Sequence, residues 1–450
     1  MAEIKPDAIL KAVRRLKGGV SVSHNKITAD CETVRMPIPD TVTLPMLQHT
    51  GEVCTPTVKK GDLVAVGQVI GDSEEYLSVP VHASVSGTVT AIKNITLADG
   101  KSVQAVTIKS DGKMTLYKGI TPPTVTDRRE LISAIRQSGL AGLGGSGYPT
   151  HAKLDFPEDK RVDTLIVNAA ECEPYITTDY RECIENSWDI MSGIFTLIDI
   201  LGLESVIIAV EDNKPEAVKV LKEIADTDFD HGNKIRLMTL KSRYPQGAEK
   251  MMVHSATGRT VPEGGTSADA GCVVINVSGV AFISRYLKTG KPLTSRTVTV
   301  SGNCIKKPMN VRVPIGTSYQ KLIDFCGGFS EAPGKIIAGG PMMGIAVSST
   351  DIPLTKKNNA ILAFGSDSAR LKPERECIRC GRCHSVCPMS LVPSLLVKYQ
   401  EKENAQALKN AGISVCMECG SCAYACPAGI SLVEKLRLAK ETVRKAGEQS

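Results

Sequence analysis

The feature that most constrains this chain is a four-cysteine pattern that occurs twice near its C-terminus. Both copies have the spacing C-x₂-C-x₂-C-x₃-C-P, and they run from Cys377 to Pro388 and from Cys416 to Pro427. Three closely spaced thiolates can wrap one cubane cluster, whereas the fourth cannot turn back to it and ligates the other cluster. We therefore predict two [4Fe–4S] clusters, the first held by Cys377, Cys380, Cys383 and Cys426, and the second by Cys387, Cys416, Cys419 and Cys422. Structural zinc, the alternative, uses pairs of C-x-x-C motifs instead.

Crossed ligation makes the two clusters neighbours, and adjacent one-electron centres conduct electrons rather than catalyse a reaction. The other seven of the 15 cysteines are scattered singly, and we interpret them as small, partly buried apolar residues. The N-terminal sequence has no apolar signal-peptide core, and no stretch reaches the roughly 18 uncharged apolar residues of a membrane span. We therefore expect a soluble or peripheral protein that faces the cytoplasm.

Composition argues against a nucleic-acid partner. Only 4% of the residues are aromatic, and the formal net charge of +6 is spread over 450 residues. A stacking platform for bases needs aromatic side chains, and an electrostatic footprint for a phosphate backbone needs a denser positive charge.

The sequence predicts a multidomain α/β protein. Residues 1–125 contain short, Gly-punctuated strands and predict a β-rich barrel-sandwich domain. The stretch between Gly71 and Val81 contains no lysine, so we interpret this barrel as structural and not as a biotin or lipoate carrier. Residues 293–350 predict a small β-grasp domain, 351–375 a linker, and 376–450 a helical two-cluster ferredoxin-like domain.

Residues 126–292 alternate between helical and strand patterns. Strands are predicted at 164–169, 205–210, 234–240 and 272–277, with helices at 127–138, 182–201 and 214–226. This order implies a parallel sheet with crossover helices. In the 182–201 helix, we expect Ile184, Trp188, Met191, Phe195 and Ile198 to form an apolar stripe.

Two loops in this region suggest a ligand site. The first is GLAGLGGSGYPT, at 139–150, in which closely spaced glycines let backbone N–H groups approach a phosphate. It differs from the dinucleotide-binding fingerprint in its spacing and in following a helix, and such a turn can equally be only a turn. The second is NAAECEP, at 168–174, which directly follows a strand, where ligands bind in α/β sheets. Together the two loops favour a nucleotide or flavin site.

These loops resemble two hallmark loops of the NADH-binding flavoprotein subunit of respiratory complex I. YPQGAE, at 244–249, and VINV, at 274–277, resemble that family's third and fourth loops. With the β-rich N-terminal region, the β-grasp region and the duplicated cysteine motif, the chain resembles the C subunits of Rnf electron-transport complexes.

The resemblance implies a noncovalent FMN and NAD(H) in the α/β domain. The implied FMN contacts are Gly142, Gly144, Gly145, Gly147, Lys153, Asn168, Glu171, Gly247 and Asn276. Tyr148 occupies the family's aromatic position over the nicotinamide, and Glu173 and Glu249 occupy nucleotide-contacting acidic positions. The chain departs from the complex I pattern at Ala170 and Ala248, where that pattern has acids, and at Ile275, where it has a second Asn.

The implied chemistry is coherent, because a flavin converts between the two electrons of NAD(H) and the single electrons of iron–sulfur clusters. We expect a peripheral NAD(H)-reacting subunit on the cytoplasmic face of the membrane, part of an ion-translocating ferredoxin:NAD⁺ oxidoreductase. Its expected partners are other Rnf subunits, including a ferredoxin-like iron–sulfur subunit and integral membrane subunits. Two alternatives remain: a soluble flavin and iron–sulfur cobalamin reductase, which shares the loops and clusters, and an electron relay with a vestigial nucleotide site.

The C-terminal helix is rich in basic residues, which are Lys435, Arg437, Lys440, Arg444 and Lys445. It is either a docking helix or a solvated last helix, and we favour the second.

Overall fold

A computed structural model describes residues 9–14, 16–227, 231 and 233–448. Its first nine strands are β1 Leu10–Lys11, β2 Val34–Arg35, β3 Thr41–Pro45, β4 Thr55–Pro56, β5 Leu63–Val64, β6 Val69–Asp72, β7 Val81–His82, β8 Gly87–Thr96 and β9 Ser102–Ser110. Seven of these form the predicted β-rich region, as a four-stranded sheet in the order β3-β9-β8-β5 and a three-stranded sheet in the order β4-β6-β7. Alternate residues of β3, Val42 and Leu44, pair with Ile108 and Val106 of β9, and all four side chains are buried. This is the pattern of strands with one face on a core.

The two remaining N-terminal strands join other sheets. Strand β1 pairs with a strand of the α/β region, and β2 pairs with a strand of the third region. Strands β1 and β2 therefore belong to the later parts of the chain and not to the barrel.

The α/β region contains a five-stranded parallel sheet. Its elements are α1 Arg128–Gln137, α2 Thr150–Leu154, β10 Thr164–Ala169, α3 Thr178–Glu185, α4 Ser187–Leu201, β11 Ser205–Glu211, α5 Pro215–Ala225, β12 Ile235–Leu240, α6 Glu249–Thr257, β13 Cys272–Asn276 and α7 Val277–Thr289. The sheet order is β1-β12-β11-β10-β13, and all pairs are parallel. The four predicted strands are confirmed to within one or two residues. Strands β10 and β13 lie side by side, so the loops that follow them meet at one edge of the sheet.

The predicted 182–201 helix is wrong in one respect, because it is two helices separated at Asn186. The backbone of Asn186 leaves the helical region, with φ −131° and ψ 31°, which changes the phase of the apolar stripe. As a result Trp188 is 65% exposed, while Ile190, Met191 and Ile194 face the core.

The third region is a mixed six-stranded sheet. Its elements are β14 Ser295–Ser301, β15 Met309–Pro314, α8 Tyr319–Phe325, β16 Pro333–Ala338, β17 Ile345–Val347, β18 Ala360–Gly365 and α9 Ser366–Ala369. The strand order is β17-β16-β18-β14-β15-β2. The predicted linker 351–375 is therefore corrected, because it contains β18, a fully buried strand between β16 and β14. Its sequence, AILAFG, is a short continuous apolar run, typical of a strand buried on both faces.

The C-terminal region is helical around the cysteine loops. Its elements are α10 Arg382–Ser385, α11 Pro393–Glu401, α12 Ala405–Asn410, α13 Ser421–Tyr424 and α14 Leu432–Glu448. All five basic side chains in α14 form ion pairs with Glu374, Glu401, Glu418 or Glu441. In the part of the chain that the structure describes, no helix is both long enough and apolar enough to span a membrane.

Candidate functional site

A cavity of about 600 Å³ lies where the α/β region, the third region and the second cysteine copy meet. A volume of several hundred cubic ångströms is typical of a site for a drug-sized ligand. Ten of the predicted cofactor residues line this cavity: Gly142, Gly144, Gly145, Lys153, Asn168, Glu171, Glu173, Gly247, Glu249 and Asn276. The fold therefore brings together all four loops that the sequence singled out, although they are up to 134 residues apart in the chain.

The glycine loop is anchored from outside the cavity. The buried guanidinium of Arg296 donates to the carbonyl of Leu143 at 3.0 Å, and the buried ammonium of Lys356 donates to the carbonyl of Gly139 at 2.7 Å. On the cavity side, Gly145 has φ +107°, and a Cβ built there lies no closer than 3.8 Å to another residue. The loop thus leaves open space above a glycine backbone, as close approach of a phosphate requires.

Gly147 and Tyr148 lie outside the cavity lining. The Gly142 N–H donates to the Tyr148 carbonyl at 2.9 Å, and the Gly147 N–H donates to the Gly142 carbonyl at 3.1 Å. These two residues close the base of the loop.

Two lysines, the buried Lys214 and the partly buried Lys26, hold the NAAECEP loop. Lys26 Nζ, from the N-terminal segment, donates to the carbonyls of Glu171 and Glu173 at 2.8 Å each, and also to that of Ile176. Lys214 Nζ donates to the carbonyl of Ala170 at 2.6 Å. The loop needs this support because Glu171 has a left-handed backbone, with φ +49°.

The Glu171 carboxylate accepts the backbone N–H groups of Asp179 at 2.7 Å and of Tyr180 at 3.3 Å, at the start of α3. It therefore satisfies helix N–H groups that lack partners within α3. Burial raises the pKa of Glu171 and lowers that of Lys26, and the attraction between the two groups, which lie 4.0 Å apart, opposes both shifts. Glu171 lines the cavity mainly as a structural residue.

The Glu173 carboxylate is also occupied. Its two oxygens accept the backbone N–H groups of Met342 at 3.0 Å and Met343 at 2.8 Å, in the turn between β16 and β17. A Cβ on Gly340 would lie 2.3 Å from this carboxylate, so the glycine makes room for it. Burial raises the pKa of Glu173 to about 7, although the two hydrogen bonds from Met342 and Met343 act to lower it. Glu173 therefore fastens the third region to the edge of the parallel sheet.

The other polar residues of the cavity form pairs. Lys153 Nζ donates to Glu249 Oε2 at 2.5 Å, and Asn168 Nδ2 donates to the Gly247 carbonyl at 2.8 Å. Asn276 Nδ2 donates to Asp179 Oδ2 at 2.7 Å. These pairs fix the four loops to one another. They commit most of the polar side chains before a ligand binds, which makes backbone groups the main candidates for ligand contact. Lys153 is also a candidate, because its ammonium has three donors and only two are used, by Glu249 and by the Val274 carbonyl.

The second cysteine copy forms one end of the cavity. Cys416 and Cys419 line it, and the Tyr244 hydroxyl donates to the Cys419 carbonyl at 2.6 Å. Tyr244 is buried, and it packs with Val20, Cys172 and Cys419. The YPQGAE loop therefore contacts both the cavity and a predicted cluster ligand.

An N-terminal segment, Gly18-Gly19-Val20, lies between that loop and the first cysteine copy. The Gly19 N–H donates to the Val386 carbonyl, and the Val20 N–H donates to the Tyr244 carbonyl, each at 2.8 Å. A Cβ on Gly18, which has φ +64°, would lie 2.8 Å from the backbone of Cys387. We call residues 18–20 the strap.

Four of the predicted ligands line one small cavity: Cys387 from the first copy, and Cys416, Cys419 and Cys422 from the second. Burial, followed by the neighbouring thiols of Cys419, Cys416 and Cys387, raises the pKa of Cys422 to about 12. Crossed ligation of a second cluster stays a prediction. Coordination by a metal deprotonates such thiols. Within the described residues, no three His, Cys, Asp or Glu side chains lie close enough to hold a single metal ion.

These features fit the two kinds of cofactor that the sequence implies. Gly145 leaves a cradle that a side chain would fill, and the cavity is large enough for a flavin. The donor set of thiols matches iron–sulfur chemistry. Of the three departures from the complex I pattern, Ala248 and Ile275 line the cavity, whereas Ala170 is fully buried beside it.

Sequence reasoning missed the residues that hold the site together. Lys26, Lys214, Arg296 and Lys356 are partly or fully buried cations that donate to loop carbonyls, and Asp179 pairs with Asn276. Each of these contacts spans 44 or more residues of sequence, and none of the residues belongs to a recognisable motif.

Four family models match the chain. They are the RnfC barrel sandwich hybrid domain over residues 14–113, the Nuo51 FMN-binding domain over 135–285, the SLBB domain over 297–346 and a 4Fe-4S dicluster domain over 370–427. The chain is thus a multidomain α/β protein with these four domains in order. The β-rich and cysteine-rich predictions agree with the first and last of them.

Curated relatives align with most of the chain. The C subunit of the proton-translocating ferredoxin:NAD(+) oxidoreductase complex of Clostridium ljungdahlii is 42% identical over 403 residues, which cover 88% of this chain and 87% of the relative. The C subunit of the Na(+)-translocating ferredoxin:NAD(+) oxidoreductase complex of Acetobacterium woodii is 40% identical, covering 86% of this chain and 87% of the relative. Among solved structures, a chain of an NAD+-reducing [NiFe]-hydrogenase in the H2-reduced state aligns with this one. The alignment covers 70% of this chain and 63% of the hydrogenase chain, with 16% identity and a TM-score of 0.49.

Proposed function

This chain belongs to the family of C subunits of ion-translocating ferredoxin:NAD(+) oxidoreductase complexes, and from that premise we propose that its cavity is where NAD(H) and FMN exchange electrons. The chain is an electron-transfer subunit of such an oxidoreductase, with FMN and 4Fe-4S clusters as its cofactors. FMN supplies the conversion between the two-electron chemistry of NAD(H) and the one-electron chemistry of the clusters.

One observation carries this proposal, which is that a single cavity is lined both by the glycine loop and by Cys416 and Cys419. A flavin held at the loop would then be next to Cys416 and Cys419, which would hold the second cluster. The Tyr244 contact to Cys419 joins the two sites through protein atoms.

The roles of the residues follow from their contacts. We assign flavin binding to the backbone of Gly142, Gly144, Gly145 and Gly247 and to the side chain of Lys153. Asn168, Glu171 and Asn276 position these groups by the hydrogen bonds described above. Gly147 and Tyr148 shape the loop, while Glu173 and Glu249 border the nucleotide side of the cavity and act through Met342, Met343 and Lys153.

The division of the chain follows the same logic. We assign residues 126–292 to a Rossmann-like FMN/NAD(H)-binding domain and residues 376–450 to a helical two-cluster domain. Between them, residues 293–350 form a β-grasp, soluble-ligand-binding-like domain, to which we add the following segment as far as the end of β18. The barrel-sandwich domain lies within 1–125.

We further propose that the chain is peripheral on the cytoplasmic face of the membrane. There it would contact integral membrane subunits and a ferredoxin-like iron–sulfur subunit of the same complex.

Anaerobic purification of the full chain, with iron, sulfide and flavin measured together, tests the proposal. We expect about eight iron atoms and one FMN per chain, and bleaching of the flavin absorbance by NADH. Iron near four, zinc in its place, or a flavin that never reacts with NADH would contradict it. The last result would leave a relay that is fed by a partner.

A further inference from the structure

A segment outside the four matched family domains forms part of the cavity wall. Residues 352–359 follow the SLBB range, which ends at 346, and precede the dicluster range, which begins at 370. Within this segment, Lys357 and Asn359 line the cavity, and they alternate with Lys356 and Asn358, which are buried. One side of the segment is therefore enclosed by protein, and the other side faces the cavity.

Hydrogen bonds hold the enclosed side of this segment. Lys356 Nζ donates to the carbonyls of Pro80 and Gly139, at 2.6 and 2.7 Å, and so connects the barrel region to the glycine loop. The N–H and the hydroxyl of Thr355 both donate to Asn358 Oδ1, at 2.8 and 2.7 Å. The segment is therefore held in place without any contribution from the two side chains that line the cavity.

Those two side chains lie against the glycine loop. A Cβ on Gly145 would lie 3.8 Å from Asn359 Nδ2, and a Cβ on Gly147 would lie 3.3 Å from the Cβ of Lys357. The open space over Gly145 is thus bordered by an amide nitrogen, and a lysine side chain lies beside the same loop. An amide and an ammonium are both hydrogen-bond donors, and a phosphate accepts from both.

The donors of Lys357 and Asn359 are not used within the part of the chain that the structure describes. The ion partner of Lys357 is Asp99, at the tip of the hairpin between β8 and β9, and the Nζ–Oδ2 distance of 3.9 Å is longer than a hydrogen bond. The side-chain amide of Asn359 makes no hydrogen bond with a described residue. Unused donors beside open space are available to a ligand.

The other charges of the cavity wall do not offer the same combination. The described residues of the wall include five acids, and the four acids other than Asp99 accept hydrogen bonds from protein donors: Glu171, Glu173, Asp179 and Glu249. Of the three lysines, Lys153 is paired with Glu249, and Lys250 lies in the first turn of α6. Lys357 combines a place against the glycine loop with an ammonium whose donors are unused.

We propose that Lys357 and Asn359, together with the backbone of Gly145, bind a phosphate group of the nucleotide that occupies the cavity. The group is the phosphate of FMN or the diphosphate of NAD(H), which present the same kind of oxygen to these donors. Asp99 would compete with this phosphate for Lys357. The inference rests on the proposed function, and it adds to the site a contribution from outside the FMN-binding domain.

Flavins with and without a phosphate test the proposal. The full chain with its clusters intact is freed of flavin by anaerobic dialysis against potassium bromide. It is then titrated with FMN and with riboflavin, which lacks the phosphate, and flavin fluorescence gives each affinity. With FMN restored at saturating concentration, the Michaelis constant and the turnover number for NADH are measured with ferricyanide as the acceptor.

Three variants are compared with one control. Lys357→Gln and Asn359→Ala remove the proposed donors, and Asp99→Asn removes the competing carboxylate. The control is Lys101→Gln, which removes the same charge from an exposed lysine of the Asp99 hairpin that does not line the cavity.

If the phosphate is that of FMN, Lys357→Gln should weaken FMN binding roughly ten- to hundredfold and leave riboflavin binding within about twofold, because only FMN loses a charge-assisted hydrogen bond. Asn359→Ala should show the same pattern with a smaller loss. Asp99→Asn should instead tighten FMN binding, a gain that misfolding cannot produce.

If the phosphate is that of NAD(H), the flavin affinities should stay at the wild-type values in all variants. The Michaelis constant for NADH should then rise roughly ten- to hundredfold in Lys357→Gln and fall in Asp99→Asn, with the turnover number unchanged.

The proposal would be overturned if Lys357→Gln matched the control in both FMN affinity and the Michaelis constant for NADH. Equal losses of FMN and riboflavin affinity would also overturn it, because the segment would then only support the cavity wall. Failure of the proposed function gives a different result. A wild-type chain that binds no flavin would contradict both, whereas a bound flavin that NADH never reduces would contradict the proposed function and leave the comparison of FMN with riboflavin decisive.

Discussion

The two cysteine copies have the same spacing but different surroundings. The second copy is enclosed by the α/β region, with Cys419 held by Tyr244 and packed against the strap. In the first copy, Cys377 and Cys380 are exposed, and so are Arg379 and Arg382 beside them in the sequence. The spacing determines which metal centre can form, whereas the surroundings determine what that centre can exchange electrons with.

In the route that we propose, NAD(H) and FMN would occupy the end that is enclosed by protein, and the first copy forms the exposed end. Cys387 comes from the first copy, but it lines one small cavity together with Cys416, Cys419 and Cys422 of the second.

The largest effect is expected for Cys387→Ser. This change removes a ligand from the second site although its sequence neighbours serve the first, so the cluster held by Cys416, Cys419 and Cys422 should be lost. Iron should fall from about eight to about four per chain. EPR of the reduced variant shows which signal is lost, and Cys31→Ser serves as the control because Cys31 lies outside both copies. Loss of the other signal would refute crossed ligation.

Gly145→Val should abolish flavin binding and leave both clusters in place. The β-branched side chain would occupy the cavity at a backbone with φ +107°, where phosphate needs close approach. Gly100→Val is the matched control, because Gly100 has φ +83° and its Cβ would meet nothing within 4 Å at a hairpin tip. Flavin absorbance and iron content measure the two outcomes. Retention of FMN by the Gly145 variant would remove the loop from the site.

Gly18→Ala should slow electron transfer between the flavin and the second cluster. The added methyl group would push against the backbone of Cys387 and shift that ligand relative to Tyr244. Overpacking of this kind costs about 1–3 kcal/mol in the free energy of unfolding. Rapid mixing with NADH should show flavin reduction at the wild-type rate, followed by cluster reduction slowed roughly tenfold or more.

The control for this variant is Gly61→Ala, at φ +98° with nothing within 4 Å of the added carbon. It carries similar backbone strain without the contact to Cys387. If both variants transferred electrons at the wild-type rate, the strap would have no part in positioning the second cluster.

The smallest expected effect concerns pH. Burial raises the folded-state pKa of Glu173 to about 7, above its ordinary 4.5. A raised pKa means that the folded state binds more protons, so this group's contribution to stability is present below pH 4.5 and is lost as the pH rises towards 7. In Glu173→Gln, the fall in melting temperature between pH 5 and 7 should therefore be smaller than in wild type by a few degrees. An unchanged pH profile would show that Glu173 is not buried against the third region.

Much of the fold could be predicted because it is local. Strands such as TLIVNA and SVIIAV are continuous apolar runs, and the helix after Asp127 has both its cap and its apolar spacing in the sequence. The strand AILAFG is an apolar run of the same kind, but it escapes prediction because the polar residues before it are typical of a linker. The exposure of Trp188 escapes it because the break at Asn186 has no proline or glycine to mark it.

Prediction of the site is limited in the same way, because contacts between residues far apart in the chain are not visible in the sequence. The glycines and cysteines could be predicted because their chemistry depends on spacing. The roles of Glu171 and Glu173 could not, because their carboxylates are occupied by N–H groups of residues that only the fold brings near, such as Met342 and Met343. Lys26 illustrates the point most clearly, since it lies in a segment that carries no motif and yet donates to three carbonyls in and beside the NAAECEP loop.

The most direct test of the central claim uses the equivalent cysteine of each copy. Cys380→Ser and Cys419→Ser each remove the second ligand of one copy, so each variant should retain only the other cluster, and freeze-quench EPR after mixing with NADH reports whether that remaining cluster is reduced. We expect NADH to reduce the remaining cluster in Cys380→Ser as fast as in wild type. In Cys419→Ser the remaining cluster should stay oxidised, because the proposed route from the flavin passes through the second site. Rapid reduction of the remaining cluster in Cys419→Ser, with none in Cys380→Ser, would instead place the first copy next to the flavin and refute the proposed route.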